Sequence, residues 1–253
     1  MNPPISLVVP VYNRAVFLTH TLDSIIAQTH SDFELLIWDD GSTDTSVEIA
    51  THYAQQDKRI RVIAAAHQGQ TLSLKGAISQ TTAPYVGWVD SDDLLAPTAL
   101  EDIIAILNTH PQVGLVYTDY EVIDEQGTSR GKGSRCQIPY SKERLLVDFM
   151  LFHFRLMRRS VYDQVGGIDP TFDRAQDYDL CLKFSEVTDI YHLQNPLYLY
   201  RTHAQSVSQQ QRVEQILWAK QAIENALHRR GMSDDYELNV QISAQYSVRR
   251  RQK

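Results

Sequence analysis

Apolar residues along the first 120 positions alternate between two periods. Short, almost unbroken runs at residues 5–11, 33–38, 60–64, 85–89 and 113–117 read as strands. Their continuous apolar character is that of parallel strands covered on both faces. Between the runs, apolar positions recur at helical spacing: Leu18, Leu22, Ile25 and Ile26, then Val47, Ala50 and Ala54, then residues 72–79. The most regular amphipathic helix carries Leu100, Ile103, Ile104 and Leu107, with Pro97 near its first turn. Strands alternating with helices predict an α/β fold: a doubly wound, mainly parallel sheet with helices on both faces, because parallel neighbours require crossovers.

The second half of the chain is less regular. Glycine-rich residues 127–133 form either a loop that orders over a substrate or a plain hairpin connection. Residues 152–157 read as a strand and Gly166-Gly167 as a tight turn. Residues 177–186 read as a helix with Leu180, Cys181 and Phe184 on its apolar face, and residues 191–200 as a strand leading into Arg201-Thr202-His203. Val213, Ile216, Leu217, Ile223 and Leu227 predict a long helix over residues 208–230, followed by a short helical or irregular segment. The expected organisation is one domain over residues 1–208 with a C-terminal helical extension over 209–253.

Chemistry concentrates where the predicted strands end. The run at 85–89 stops at Asp90, Asp92 and Asp93, three carboxylates within four positions. Such charge at the end of a core strand is costly unless a cation is held there, although a solvated turn capping the next helix is the plainer alternative. In extended backbone Asp90 and Asp92 point to one side and Ser91 to the other. Oxygen-only ligands favour magnesium or manganese over zinc, and magnesium usually bridges to substrate phosphates, so the expected guest is a metal-chelated nucleotide. Tyr12-Asn13-Arg14 and Asp39-Asp40 also follow predicted strands, at the edge where open α/β sheets bind ligands. No Gly-x-Gly-x-x-Gly follows the first strand and no P-loop occurs, so a nucleotide is bound some other way.

With 24 basic against 31 acidic residues and a net charge of −7, a broad nucleic-acid face is not expected. Arg249-Arg250-Arg251 is the one locally basic stretch and permits at most peripheral membrane contact. Cys136 and Cys181 lack metal-type spacing and fit free thiols in a cytoplasmic protein. Met1-Asn2-Pro3-Pro4 carries no charged leader, and no apolar stretch approaches 18 residues, so neither a signal peptide nor a membrane span is expected.

Six blocks, taken in order, resemble the signature of inverting family 2 glycosyltransferases with the GT-A fold. They are Val9-Pro10-Val11-Tyr12-Asn13-Arg14, Asp39-Asp40-Gly41-Ser42-Thr43-Asp44, Asp90-Ser91-Asp92-Asp93, Gly166-Gly167-Ile168-Asp169, Gln176-Asp177-Tyr178-Asp179-Leu180 and Tyr200-Arg201-Thr202-His203. They span roughly residues 5–208. The resemblance implies a metal-dependent enzyme that moves a sugar from a nucleotide-sugar, UDP-linked, to an acceptor hydroxyl on a carbohydrate, lipid-linked or protein acceptor. Pro10, Tyr12 and Asp40 would cradle the nucleoside, Asp40 accepting a hydrogen bond from the base, with Arg14 and Ser91 completing the donor site. Asp92 would ligate Mn2+ or Mg2+, Asp90 would lie by ribose and metal, and His203 would reach the metal or diphosphate. Arg201 would pair with phosphate, and Asp177 would be the catalytic base.

Two departures stand out. Gln176 replaces the glutamate that often precedes the base. Leu74-Lys75-Gly76 replaces the family's usual Ala-Arg-Asn, so that Lys75 keeps a positive charge without a guanidinium fork. Asp179, two residues from Asp177 on a helix, faces elsewhere. The alternatives are a sugar-phosphate nucleotidyltransferase, disfavoured by the missing glycine-rich basic loop, and a catalytically inactive nucleotide-sugar-binding protein, against which Asp177 argues.

Overall fold

The computed structural model describes residues 4–203 and 212–242. The first half alternates as the apolar pattern predicts: β1 (Ile5–Val11), α1 (Ala15–Ile26), β2 (Phe33–Asp39), α2 (Ser46–Gln56), β3 (Ile60–Ala64), α3 (Gln70–Ser79) and β4 (Tyr85–Trp88). A two-residue strand, β5 (Leu94–Leu95), then precedes α4 (Ala99–Thr109). The second half holds β6 (Val113–Ile123), β7 (Ser129–Lys132), β8 (Arg155–Arg158), α5 (Arg159–Gln164), α6 (Gln176–Val187), β9 (Asp189–Arg201) and α7 (Arg212–Arg229). Ser208, where the long helix was expected to begin, and Arg249-Arg250-Arg251 lie outside the described residues.

The strands join in the order β3-β2-β1-β4-β8-β6-β9-β5, with β7 paired to β6 outside that path. The long ladders are parallel: β1 with β2 and β4, β2 with β3, and β6 with β9. β8 is antiparallel to both β4 and β6, and the pairs β6–β7 and β5–β9 are short antiparallel ladders. The chain therefore winds outward from β1 to β3 and returns on the other side at β4. This makes the carboxyl ends of β1 and β4 the topological switch point, where the following loops diverge and leave a crevice.

Every residue of β1 is buried, as two covered faces require. Leu7, Val9, Leu35 and Ile37 pack with α1, α2 and α4 on one side. Val8, Leu36, Val86 and Trp88 pack with α3, α6 and α7 on the other. α1 begins without a side-chain cap, so packing rather than capping holds it. Buried Leu18, Leu22 and Ile25 each contribute about 1.5–3 kcal/mol, against at most about 2 for a good cap. α7 joins the second core through Ala222, Ala226 and Leu227. Its last turn is fastened to α6 by Arg229 to Glu186 at 2.8 Å and Arg230 to Ser185 at 2.9 Å.

Several segments depart from the sequence reading. Residues 127–133 take the hairpin alternative, β7 pairing with β6. β6 runs six residues past Tyr117, because its polar continuation Thr118-Asp119 is still paired to β9 and buried. β9 extends the expected strand 191–200 to residues 189–201, passing Asn195 and Pro196 by register shifts opposite Thr118 and Asp119.

β8 approaches β4 closely only because position 87 lacks a side chain. A Cβ there would stand 2.7 Å from the Arg155 carbonyl oxygen and 3.2 Å from the side chains of Leu156 and Phe154. Gly87→Ala should therefore lower stability by about 1–3 kcal/mol, read as a shift of the urea midpoint. An unchanged midpoint would mean that the two strands part at no cost.

Candidate functional site

The ledge after β1 is built by two loops that hold each other. Asn13 adopts φ 53°, a left-handed conformation that asparagine tolerates better than most residues. Its Oδ1 accepts the N–H groups of Thr43 at 2.8 Å and Asp44 at 3.3 Å, and its own N–H donates to Ser42 at 2.9 Å. Ala15 N–H donates to Asp44 at 3.0 Å, and Asp39 Oδ2 accepts from Gly41 and Ser42 at 3.1 and 3.0 Å. Tyr12, 42% exposed, stands on this ledge and stacks on His67 with ring centroids 4.2 Å apart. Asp40 is buried, and its carboxylate accepts the N–H groups of Gln68 at 2.8 Å and Gly69 at 3.0 Å, with His67 Nδ1 at 2.9 Å. Asp40 thus organises the turn at residues 67–69 from below.

At the end of β4 the three carboxylates take different surroundings. Asp93 is buried and accepts the Arg201 N–H at 2.6 Å. Burial, then repulsion from Asp92 and Asp90, raise its pKa well above the ordinary carboxylate range. Asp92 Oδ2 lies 3.2 Å from Arg14 Nε and 2.9 Å from His203 Nε2. Burial works against its ionisation, but the His203 hydrogen bond and the Arg14 charge prevail and hold its pKa below the ordinary value. Asp90, 24% exposed, faces the crevice. Burial first, then the neighbouring Asp92, push its pKa up to about 7. Its N–H donates to the Tyr198 hydroxyl at 3.2 Å.

The opposite wall comes from α6. Ala175, with φ 58°, turns the chain into the helix and sets Asp177 in its first turn. Asp177 Oδ1 accepts the Tyr178 N–H at 2.9 Å, and Oδ2 accepts from Arg155 Nη1 and Nη2, each at 3.2 Å. Asp179 faces the other way, as helical geometry requires, and is buried beside Lys183 at 2.6 Å and Arg229 of α7 at 3.5 Å. Removing that carboxylate would leave Lys183 and Arg229 without their partner and loosen α6 from α7.

These walls enclose a cleft of about 750 Å³. Of the residues singled out in the sequence, Pro10, Tyr12, Arg14, Asp40, Asp90, Ser91, Asp92, Asp177 and Arg201 line it. Two do not. Lys75 lies on α3, where its charge acts on Asp169 of the Gly166-Gly167 turn. His203 is buried behind Asp92, its ring tilted against Phe17 at 4.7 Å. Arg201 lines the cleft while its Nε donates to the carbonyl of Asp92 at 2.7 Å and its Nη1 to those of Glu125 at 2.9 Å and Asp124 at 3.1 Å. Residues the sequence reading missed also line the cleft, among them His67, Trp88, His153 and Gln215. Arg155 and His153 had a signal: a cation and an imidazole interrupting an otherwise apolar strand run.

Among the described residues no three His, Cys, Asp or Glu side chains converge as a ready-made metal cage. Asp90 and Asp92 nevertheless fit an ion that takes few protein ligands. They are hard oxygen donors, and their mutual repulsion is the kind a divalent cation relieves. Among the described residues no helix is long and apolar enough to cross a membrane.

A family model described as Glycosyl transferase family 2 matches residues 6–166. The chain is 30% identical over 206 residues to the chondroitin synthase of Escherichia coli, covering 81% of this chain and 30% of that protein. It is 34% identical over 206 residues to the O-antigen biosynthesis protein RfbC of Myxococcus xanthus, covering 78% of this chain and 16% of that one. It therefore spans less than a third of either relative. Among solved structures it resembles S. aureus TarS 1-349 in complex with UDP-GlcNAc, with a TM-score of 0.68 and 19% identity over 89% of this chain and 72% of that one. It also resembles the mannosyltransferase PcManGT from Pyrobaculum calidifontis in complex with GDP-Man and Mn2+. There the TM-score is 0.65 and the identity 16%, over 92% of this chain and 76% of the other. These likenesses establish the GT-A fold.

The raised pKa of Asp90 gives a signed pH dependence. Its folded form binds a proton more tightly than the unfolded chain does, so its contribution to stability is lost as pH rises from about 4 to about 7. Asp90→Asn should therefore raise the melting temperature at pH 7.5 in EDTA and leave it unchanged near pH 4. Equal effects at both pH values would refute the raised pKa.

Proposed function

This chain belongs to glycosyl transferase family 2, and from that membership we propose that its cleft moves a sugar from a UDP-linked donor to an acceptor hydroxyl with inversion, Asp177 acting as the base. One observation carries the reading: Asp177 lines the same cleft as Asp90, Asp92 and Tyr12. Tyr12 offers an aromatic face to the base of the nucleotide, and Arg14 brings positive charge to the diphosphate side. The nucleotide-sugars named with the fold neighbours support a donor of this class.

Asp177 would take the proton from the acceptor hydroxyl as its oxygen attacks the anomeric carbon, on the face opposite the departing diphosphate. A single base suffices for that inversion. Asp92, with Asp90 beside it, would hold a magnesium or manganese ion, and Arg14 and His203 fix Asp92 from behind. Such an ion, when bound, offsets charge on the leaving diphosphate. The polysaccharide and O-antigen roles in the relatives' names favour a carbohydrate acceptor within polysaccharide or glycoconjugate assembly. Nucleotidyl transfer to a sugar phosphate is not favoured, because the family match is to sugar transfer.

Titration calorimetry with UDP, UDP-GlcNAc and GDP-Man should show binding of the uridine nucleotides at least tenfold tighter, about 1.4 kcal/mol, with Mn2+ than with EDTA. Equal affinity in both would remove the metal from the reading, and preference for GDP-Man would remove the uridine. Asp177→Asn should bind UDP within twofold of the natural protein. Its turnover should fall by about 10² to 10⁴, measured as UDP released from UDP-GlcNAc in the presence of p-nitrophenyl glycosides. Turnover at the natural rate would assign the base elsewhere.

A further inference from the structure

Arg155 is 3% exposed, and how it is used separates it from the other inward-facing arginines. Arg158 donates to the carbonyls of Val113 at 2.7 Å and His110 at 3.2 Å, and Arg201 to those of Asp92, Asp124 and Glu125. Both brace backbone. Arg155 donates to one carbonyl, that of Leu151 at 2.8 Å, and turns Nη1 and Nη2 together onto a carboxylate that opens to the cleft. Its guanidinium packs 5.0 Å from the Trp88 ring and 5.7 Å from that of Phe149, so water has little access to the arginine, while Asp177 stays open to the cleft. Nη2 also lies 3.5 Å from His153 Nδ1, and His153 Nε2 lies 3.6 Å from Asp90 Oδ2.

We infer that Arg155 is the positioning residue for Asp177, gripping Oδ2 with two nitrogens and linking the carboxylate through His153 to Asp90 on the donor wall. This rests on the reading of Asp177 as the base. Oδ1 is tethered by the Tyr178 N–H, so the two contacts together prevent the carboxylate from rotating. A base held this way keeps one orientation toward the acceptor hydroxyl, and errors of about 1 Å in such placement cost on the order of 10²-fold in rate. His153 lies between the two carboxylates, 3.5 Å from Arg155 and 3.6 Å from Asp90. A lysine at 155 keeps the charge but presents a single compact ammonium, which does not grip Asp177 while also holding Leu151 and His153.

The test compares Arg155→Lys, Asp177→Asn and the double variant, with melting temperature, UDP binding in Mn2+ and UDP release from UDP-GlcNAc as readouts. Arg155→Lys should melt within a few degrees of the natural protein and bind UDP within twofold. Its kcat should fall about 10- to 100-fold while the KM for UDP-GlcNAc stays within twofold. In the Asp177→Asn background the same change should cost nothing further, because the group it positions is already gone. A kcat within twofold of natural in Arg155→Lys, with Asp177→Asn inactive, would overturn the positioning role and leave the base in place. Loss of UDP binding or of melting temperature together with kcat would make Arg155 a brace of the fold and equally overturn it. Full turnover by Asp177→Asn would overturn both.

Discussion

Three carboxylates at the end of one core strand repel one another where little water is present to screen them, and much of the molecule acts to hold them there. Asp93 is tied inward by the backbone of Arg201, and Asp92 is flanked by Arg14 and His203. Asp90 is left facing the cleft, with Tyr198 holding its backbone. The supports come from two distant parts of the chain: the loop after β1, and the end of β9 with the residues just beyond it. The last turn of the sheet order, which carries β9 back to β5, places those supports within reach.

The architecture divides its work between two kinds of strand pairing. The parallel half opens a crevice at the switch point between β1 and β4, which accounts for Tyr12 and Asp90 standing on neighbouring edges. The antiparallel insertion of β8 then threads Arg155 beside β4. A parallel strand in that place would need a crossover over the face that α6 occupies, and α6 carries Asp177.

Legibility in the sequence followed periodicity. Strands β1 to β4 and helices α1 to α4 were readable because each is covered on a predictable face. The run Leu18, Leu22, Ile25 has one period and one solution. β6 was read too short, since Thr118 and Asp119 break an apolar pattern without breaking the ladder. The carboxylates and Tyr12 could be placed by their position after strands. The contacts of Arg201 and His203 could not, because their partners are backbone carbonyls 76 to 109 positions away and a carboxylate 111 positions away, and no local pattern reports them. Lys75 was drawn to the cleft by its charge, but it sits on α3 outside the cleft, where its charge is felt by Asp169.

The stack of His67 on Tyr12 bears on how the cleft admits a guest. Rings with centroids 4.2 Å apart leave no gap for a third aromatic plane, so a planar base seeking that face of Tyr12 must exchange with the imidazole. The contact it displaces is worth about 0.5–1.5 kcal/mol. His67 is also leashed by Asp40, which fixes the adjoining backbone, so the ring can swing aside only on the short tether of residues 67–69. For a base that takes that face, the imidazole would be a place-holder whose displacement weakens apparent affinity by up to about tenfold.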